Sequence, residues 1–316
     1  MEFKFIDKNE YLRRISEFQR LFRSCFNREM PEGFLTWRYI DNPMEDILVN
    51  AALENNKIIA NYSVSPCKIF INGNIEKAAL SMTTMTHPNF KGRGLFPKLA
   101  NRLYERMDES GYKAVIGFPN NNSHFIFVNK LNWRNIYEIP TMKLNLFKIG
   151  NLNNYKNFNI INDKKFLLDY SRLINNNNNN KIKIYKDLDY LKWRFRDNPI
   201  NKYDNYVVVQ GQTVVSSIIT KKFNNYEVDI VEINSLDDCY TKEILEWVIK
   251  KGKDNNFKYI NMWCQLNDNV HEMAERIGFV NCEPISYFGV KDFKEGSTDL
   301  SIYNNWNIQM GDSDVY

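Results

Sequence analysis

Apolar residues along this chain fall into short runs bounded by turn residues, and segments of helical spacing lie between them. Ile47-Leu48-Val49, Lys57 to Val64 and Cys67 to Ile71 read as strands, with Asn72-Gly73-Asn74 as a hairpin turn. Phe96 to Ser110 places Leu99, Leu103 and Met107 on one side of a helix, and Gly111 follows as its C-cap. A strand over Ala114 to Phe118 comes next, then a short helix ending in Leu131-Asn132-Trp133, then a strand over Thr141 to Leu146.

The same order returns in the second half. Phe34-Leu35-Thr36-Trp37-Arg38-Tyr39-Ile40-Asp41-Asn42-Pro43 reappears as Tyr190-Leu191-Lys192-Trp193-Arg194-Phe195-Arg196-Asp197-Asn198-Pro199, an offset of 156 residues. Six of the ten positions are identical and the two flanking aromatics stay aromatic, which is the signature of an internal duplication. After the second copy come strands over Tyr206 to Val209 and Thr213 to Ile219, with Gln210-Gly211-Gln212 as the hairpin turn. A helix over Ile244 to Lys251, a strand over Tyr259 to Trp263 and a helix ending in Ile277-Gly278-Phe279 complete it. Two sheet-plus-helix domains are expected, 1–150 and 151–316. The run from Asn175 to Asn180 cannot bury apolar area and reads as a solvent loop. Trp37-Arg38 and Trp193-Arg194 occur in both copies, so packing is the role expected of them.

Composition narrows the classes. The 316 residues are 43% hydrophobic and 14% aromatic, enough for a real core. A net charge of +4 is mild and speaks against a nucleic-acid surface. Five dispersed cysteines, without a C-x-x-C pair, give neither a disulfide framework nor a zinc site. No apolar run approaches the roughly 18 residues needed to cross a bilayer. The N-terminus carries acids where a secretion signal needs a basic and then an apolar stretch. A cytoplasmic chain, bound neither to membrane nor to nucleic acid and without a metal, is the expectation.

The most specific segment runs from Ser81 through His87-Pro88-Asn89-Phe90-Lys91-Gly92-Arg93-Gly94-Leu95-Phe96-Pro97-Lys98. A strand leads into a basic glycine turn and then a helix. The unpaired amides of such a turn and of the helix start converge on one point, where the helix dipole adds positive charge. Gly92 and Gly94 admit a phosphate to the backbone, and Lys91, Arg93 and Lys98 supply cations. Neither G-x-x-x-x-G-K-[ST] nor a dinucleotide G-x-G-x-x-G is present.

Lys91-Gly92-Arg93-Gly94-Leu95-Phe96 resembles motif A of the GNAT acetyltransferase superfamily, [Q/R]-x-x-G-x-[G/A], with Lys91 and Phe96 as departures. Asn120 to Trp133 resembles motif B, with Asn132 in place of its Gly. The resemblance implies an α/β (α+β) fold of two GNAT-like domains, each a mixed, mostly antiparallel sheet flanked by helices. It implies acetyl-CoA as acyl donor, its pantetheine arm along Met85, Thr86 and His87 and its pyrophosphate on Lys91, Gly92, Arg93, Gly94, Leu95 and Phe96. Asn121 and Ser123 are further candidate contacts. The second copy has Glu232 to Asp238 at the loop position, acidic and without glycine, so one CoA per chain is expected, with the second half as acceptor wall.

The Tyr that serves many GNAT enzymes as acid falls on Val128. The chain ends Asn305-Trp306-Asn307-Ile308-Gln309-Met310-Gly311-Asp312-Ser313-Asp314-Val315-Tyr316, a strand-like stretch that meets a Gly, two carboxylates and a terminal aromatic, and it resembles the tandem branch in which the C-terminal carboxylate acts as base. Asp312, Asp314 and Tyr316 are therefore candidates to bind or deprotonate the amine, with His124 beside motif B as another; His271 reads as a surface residue. The expected function is acetyl transfer to the primary amine of a small molecule, with amino sugars as the acceptors suggested by analogy. The alternatives are a CoA-binding sensor or interaction module with a degenerate site, and an aminoacyl transferase to a peptidoglycan precursor. The oligomeric state is not legible.

Overall fold

The computed structural model describes residues 1–150, 158–175, 181–293 and 298–316. The asparagine run from 176 to 180 lies outside the described residues. The chain forms two compact units. The first is Met1–Tyr137, Asn198–Ile200 and Tyr287–Tyr303; the second is Glu138–Asp197, Asn201–Ser286 and Asn304–Tyr316.

In the first unit, β1 (Glu2–Phe5), β2 (Leu48–Glu54), β3 (Lys57–Ile71), β4 (Asn74–Thr86) and β5 (Ala114–Gly117) lie in that order. Only β4 and β5 among these neighbours run parallel. Helix α1 (Lys8–Phe26) starts at Asp7, whose carboxylate accepts from the Glu10 amide at 2.8 Å, and ends at Asn27 in the left-handed region. A short α2 (Phe34–Tyr39) follows. Helix α3 (Leu95–Glu109) sinks Leu99, Leu103 and Met107 completely, as their spacing requires, into a core shared with Tyr62, Val64, Val115 and Trp133. Burial of side chains of this size contributes about 1.5–3 kcal/mol each. Pro97 sits in the first turn of α3, where no intrahelical N–H bond is lost. Helix α4 (Asn121–Leu131) completes the series.

The second unit takes the end of β6 (Arg134–Asn145), β7 (Asn159–Asn162), α5 (Ser171–Ile174), a short β8 (Lys183–Ile184) and α6 (Leu188–Leu191). A π-helical turn follows over Lys192–Arg196. Then come β9 (Tyr203–Gln210), β10 (Thr213–Lys222), β11 (Glu227–Ser235), α7 (Asp238–Asp254), β12 (Tyr259–Trp263) and α8 (Asn269–Ile277). Its sheet runs β7-β9-β10-β11-β12-β6, with β11 and β12 as its parallel pair. Helix α7 packs on Met142, Ile218, Ile230 and Ile260. Strand β13 (Val280–Asp292) begins in this unit and ends in the first, where Gly289 to Asp292 pair with Gly117 to Ala114 of β5.

The repeated segments share a local fold. Asn42 Oδ1 accepts from the Met44 amide at 2.8 Å, and Asn198 Oδ1 accepts from the Ile200 amide at 2.9 Å. Both are Asx turns at equivalent places. Trp37, Arg38, Trp193 and Arg194 are all buried. Three sequence expectations need correction. The two runs across Ser65-Pro66 form one strand, β3. The end of the chain is not a strand but a 3-10 turn at Met310–Asp312. His271 is buried, its Nδ1 3.1 Å from the Cys264 carbonyl.

Candidate functional site

Strand β4 is paired with β3 along nearly its whole length but meets β5 only from Ala78 to Leu80. Beyond Leu80 its second edge has no strand partner among the described residues. The register slips between Asn61 and Ser63, and Thr83 takes a left-handed φ of 54°. That bulge is held from both sides: Asn61 Nδ2 donates to the Thr83 carbonyl and Tyr39 hydroxyl donates to Thr83 Oγ1, each at 2.8 Å. Met85, Thr86 and His87 follow it. Met85 is buried, the Thr86 carbonyl accepts from the Cys25 thiol at 3.3 Å, and the His87 amide donates to the Ile59 carbonyl at 2.9 Å. The His87 ring is turned to the 3-10 turn at Pro88–Phe90, with Nδ1 3.3 Å from the Asn89 amide.

The glycine turn comes next. Gly92 has φ 76° and Gly94 φ 68°, backbone positions that a side chain would strain. A Cβ built at either would meet nothing within 4 Å, so the backbone is open to an incoming group. Among the described residues no acceptor is found for the amides of Gly92, Arg93, Gly94, Leu95 and Phe96. Gly94 is the N-cap of α3 and brings no side-chain acceptor. Five consecutive free donors at the positive end of a helix suit an anion. The cations expected there are placed otherwise. Arg93 lies over the Phe90 ring at 4.7 Å and donates to the Asn89 carbonyl at 3.3 Å, while Lys98 lies 4.2 Å over the Phe3 ring. Lys91 is exposed. Phe96, a departure from motif A, packs between Tyr62 at 5.6 Å and Phe127 at 5.2 Å.

Helix α4 is capped by Asn120, whose Oδ1 accepts from the Asn122 and Ser123 amides at 3.0 and 3.2 Å. Ser123 hydroxyl is engaged with the same cap, and Asn121 is exposed. His124 stacks on Tyr287 with ring centroids 4.1 Å apart, and its Nε2 lies 3.2 Å from Asn135 Oδ1. Val128 is half-buried and offers no proton.

The chain end lies in the second unit. Asp312 is 3% exposed; its Oδ1 pairs with Lys186 Nζ at 2.7 Å and its Oδ2 accepts from the Gln309 amide at 2.8 Å. Lys186 also pairs with buried Glu232. The two carboxylates raise the Lys186 ammonium against its burial penalty, and burial raises Glu232. Gly311 is held against Glu232, where a Cβ would come within 2.3 Å of Oε1. Glu232, expected in an acidic loop, is thus inside the unit. Arg194 donates to the Ser313 carbonyl at 3.0 Å, to Tyr203 hydroxyl at 2.8 Å and to the Tyr316 carbonyl. The Tyr316 ring meets Trp263 edge-on at 5.0 Å, and burial pushes its hydroxyl up to about 12. Asp314 is exposed.

A polar row on the same unit escaped the sequence reading. Tyr203, Lys221, Asp229, Asn261 and Lys143 stand side by side in register across β9, β10, β11, β12 and β6. Its signal is the alternation Glu227-Val228-Asp229-Ile230, which resembles an ordinary solvent face. Asp229 is instead 1% exposed. Among the described residues no cluster of His, Cys, Asp or Glu is arranged to hold a metal ion, and no helix is long and apolar enough to cross a membrane.

Residues 12–136 match the acetyltransferase (GNAT) domain family. No curated protein matches the sequence. Among solved structures, a probable N-acyltransferase from Enterococcus faecalis, otherwise a conserved protein of unknown function, superimposes with a TM-score of 0.70 at 10% identity, over 96% of this chain and 73% of its own. A GCN5-related N-acetyltransferase from Anabaena variabilis gives 0.70 at 9% identity, over 92% and 72%. Another from Kribbella flavida gives 0.68 at 10% identity, over 92% and 70%. At such identities these structures speak to the fold, which they share with this chain along most of its length. Residues 12–136, which hold the glycine turn and the helix that follows, are thus the part of this chain that matches the GNAT acetyltransferase domain family.

Proposed function

We propose that the chain transfers an acetyl group directly from acetyl-CoA to the primary amine of a small molecule, with amino sugars as the first acceptors to try. The observation that carries this is the turn at 92–96: five free amides, two glycines open to approach, and a helix start behind them. A diphosphate there would accept from those amides, and the free edge of β4 after Leu80 offers further main-chain groups to an extended amide-bearing arm. The second copy has no such turn: β11 leads to Asp237, which caps α7 with its own carboxylate. That supports one donor site per chain and a tandem GNAT origin for the repeat.

Acyl transfer to an amine needs the amine neutral and a proton for the leaving thiolate. His124, ring-stacked and set against Asn135, is the candidate base of the first unit. In the second unit Asp312 is held by Lys186 and Tyr316 by Arg194 and Trp263, and Asp314 is the exposed carboxylate of the tail. Calorimetric titration of coenzyme A into the purified chain tests the donor site. Gly94→Ala should weaken binding at least tenfold without lowering the melting temperature by more than a few degrees. Equal affinity in the variant would remove the turn from the account. Thiol release from acetyl-CoA over amino sugars, nucleotide-sugars and polyamines then identifies the acceptor.

A further inference from the structure

The polar row of the second unit holds two acceptor atoms that no protein donor reaches. Asp229 Oδ1 accepts from Asn261 Nδ2 at 3.0 Å, but Asp229 Oδ2 and Asn261 Oδ1 are both buried without a partner. The two residues are direct neighbours on β11 and β12. The Asn261 orientation is fixed, because Nδ2 also donates to Glu227 Oε2 at 2.9 Å. A buried carboxylate oxygen and a buried amide oxygen without donors cost several kcal/mol together. Such a pair calls for a donor, and for a positively charged one.

The cations nearby do not fill that role. Lys143 is paired with Glu227 at 3.0 Å. Lys221, opposite Asp229 on β10, forms no ion pair with it among the described residues; its ammonium lies 5.1 Å over the Tyr316 ring. Trp263 shares the face of Asn261, two residues on, and meets the Tyr316 ring. Aromatic faces beside an acid favour a cation and disfavour an anion. Strands lie about 4.8 Å apart, so a single –NH3+ with three donors can serve both oxygens.

We propose that Asp229 and Asn261 form a binding subsite for a protonated primary amine, walled by the rings of Trp263 and Tyr316. The ligand is a primary amine, defined by the chemistry of the subsite and independent of the acyl-transfer reading. The subsite binds it as the ammonium ion and selects amines over alcohols of the same shape.

The test is titration calorimetry on the full chain without any thioester, with hexylammonium as probe and hexan-1-ol and hexanoate as controls. Hexylammonium should bind at least tenfold more tightly than either control. Asp229→Asn, nearly isosteric, should lose at least tenfold in that affinity while melting no lower than the unmodified chain. In the unmodified chain the affinity should also fall as pH drops through about 6, where the buried Asp229 takes up its proton with Lys221, Glu227, Lys143 and Tyr316 as its charged or titratable neighbours. Hexanol binding as well as hexylammonium, no binding of the amine, or an affinity indifferent both to Asp229→Asn and to pH would each overturn the inference. Coenzyme A titrated into the same sample reports on the glycine turn separately, so the two readings fail independently.

Discussion

Asp229 carries its charge at a cost that pH can reveal. Burial raises its carboxyl from 3.8 to about 6. A folded state that binds the proton more tightly than the unfolded chain is favoured at low pH. The stabilisation is complete below about pH 4 and is lost as pH rises through about 6. Asp229→Asn abolishes this titration. The variant should therefore gain on the unmodified chain between pH 4.5 and 7, reaching about 2 kcal/mol, as denaturant melts at a series of pH values would show. Single residues differ in how openly the sequence declares them. Gly92 and Gly94 are legible because a turn that admits a phosphate to its backbone asks for residues without a Cβ, and the structure adds a left-handed backbone at both. Phe96 looks like a defect in a motif that asks for a small residue; between Tyr62 and Phe127 it is half-buried against the core. Asp312 looks like an acidic tail residue, and its partner Lys186 lies too far along the chain for any local pattern to betray the pair.

Elements are more legible than residues, because helical spacing and turn chemistry act locally. Helices α3, α4 and α8 end close to their signals, including Gly278 at the end of α8, whereas α7 starts at Asp238, before the predicted Ile244, and runs on to Asp254. Strand β3 shows where the local rule gives way. Ser65-Pro66 reads as a break, yet the strand runs on, because Asn42 Nδ2 donates to Ser65 Oγ at 3.1 Å and to the Pro66 carbonyl at 3.0 Å. The start of α4 rests on one side chain. Asn120→Ala leaves the Asn122 amide without its acceptor and Ser123 with the Asn120 carbonyl alone, and should cost about 1 kcal/mol, read as a lower denaturation midpoint. The same change should leave coenzyme A affinity nearly untouched if the turn at 92–96 supplies most of the donors. A large loss of affinity would instead place α4 in the binding site.

The two compact units are not two consecutive stretches of chain. A boundary near residue 150 follows from the spacing of the repeats, but the units also change partners later. The first unit takes back Asn198–Ile200 and Tyr287–Tyr303. Its sheet is closed by the end of β13, where Gly289 lets the Trp133 ring approach: a Cβ there would lie 3.1 Å from it. Nothing in the sequence near residue 150 announces that exchange, since pairing between β5 and β13 is a matter of strand edges and not of local periodicity. A fragment of residues 1–150 would leave the β5 edge bare, an invitation to association. It should be recovered as aggregate or as a poorly structured monomer by size exclusion and circular dichroism. Adding the peptide 280–293 should restore part of its ellipticity.

That late strand also sets a clock for biosynthesis. When residue 150 leaves the ribosome, the amino-terminal sheet still lacks its last member, which emerges roughly 140 residues later. At ordinary elongation rates this is a wait of roughly ten to thirty seconds with an apolar edge uncovered. Chaperone dependence during translation, more than any weakness of the finished protein, is where this architecture will be felt in the cell.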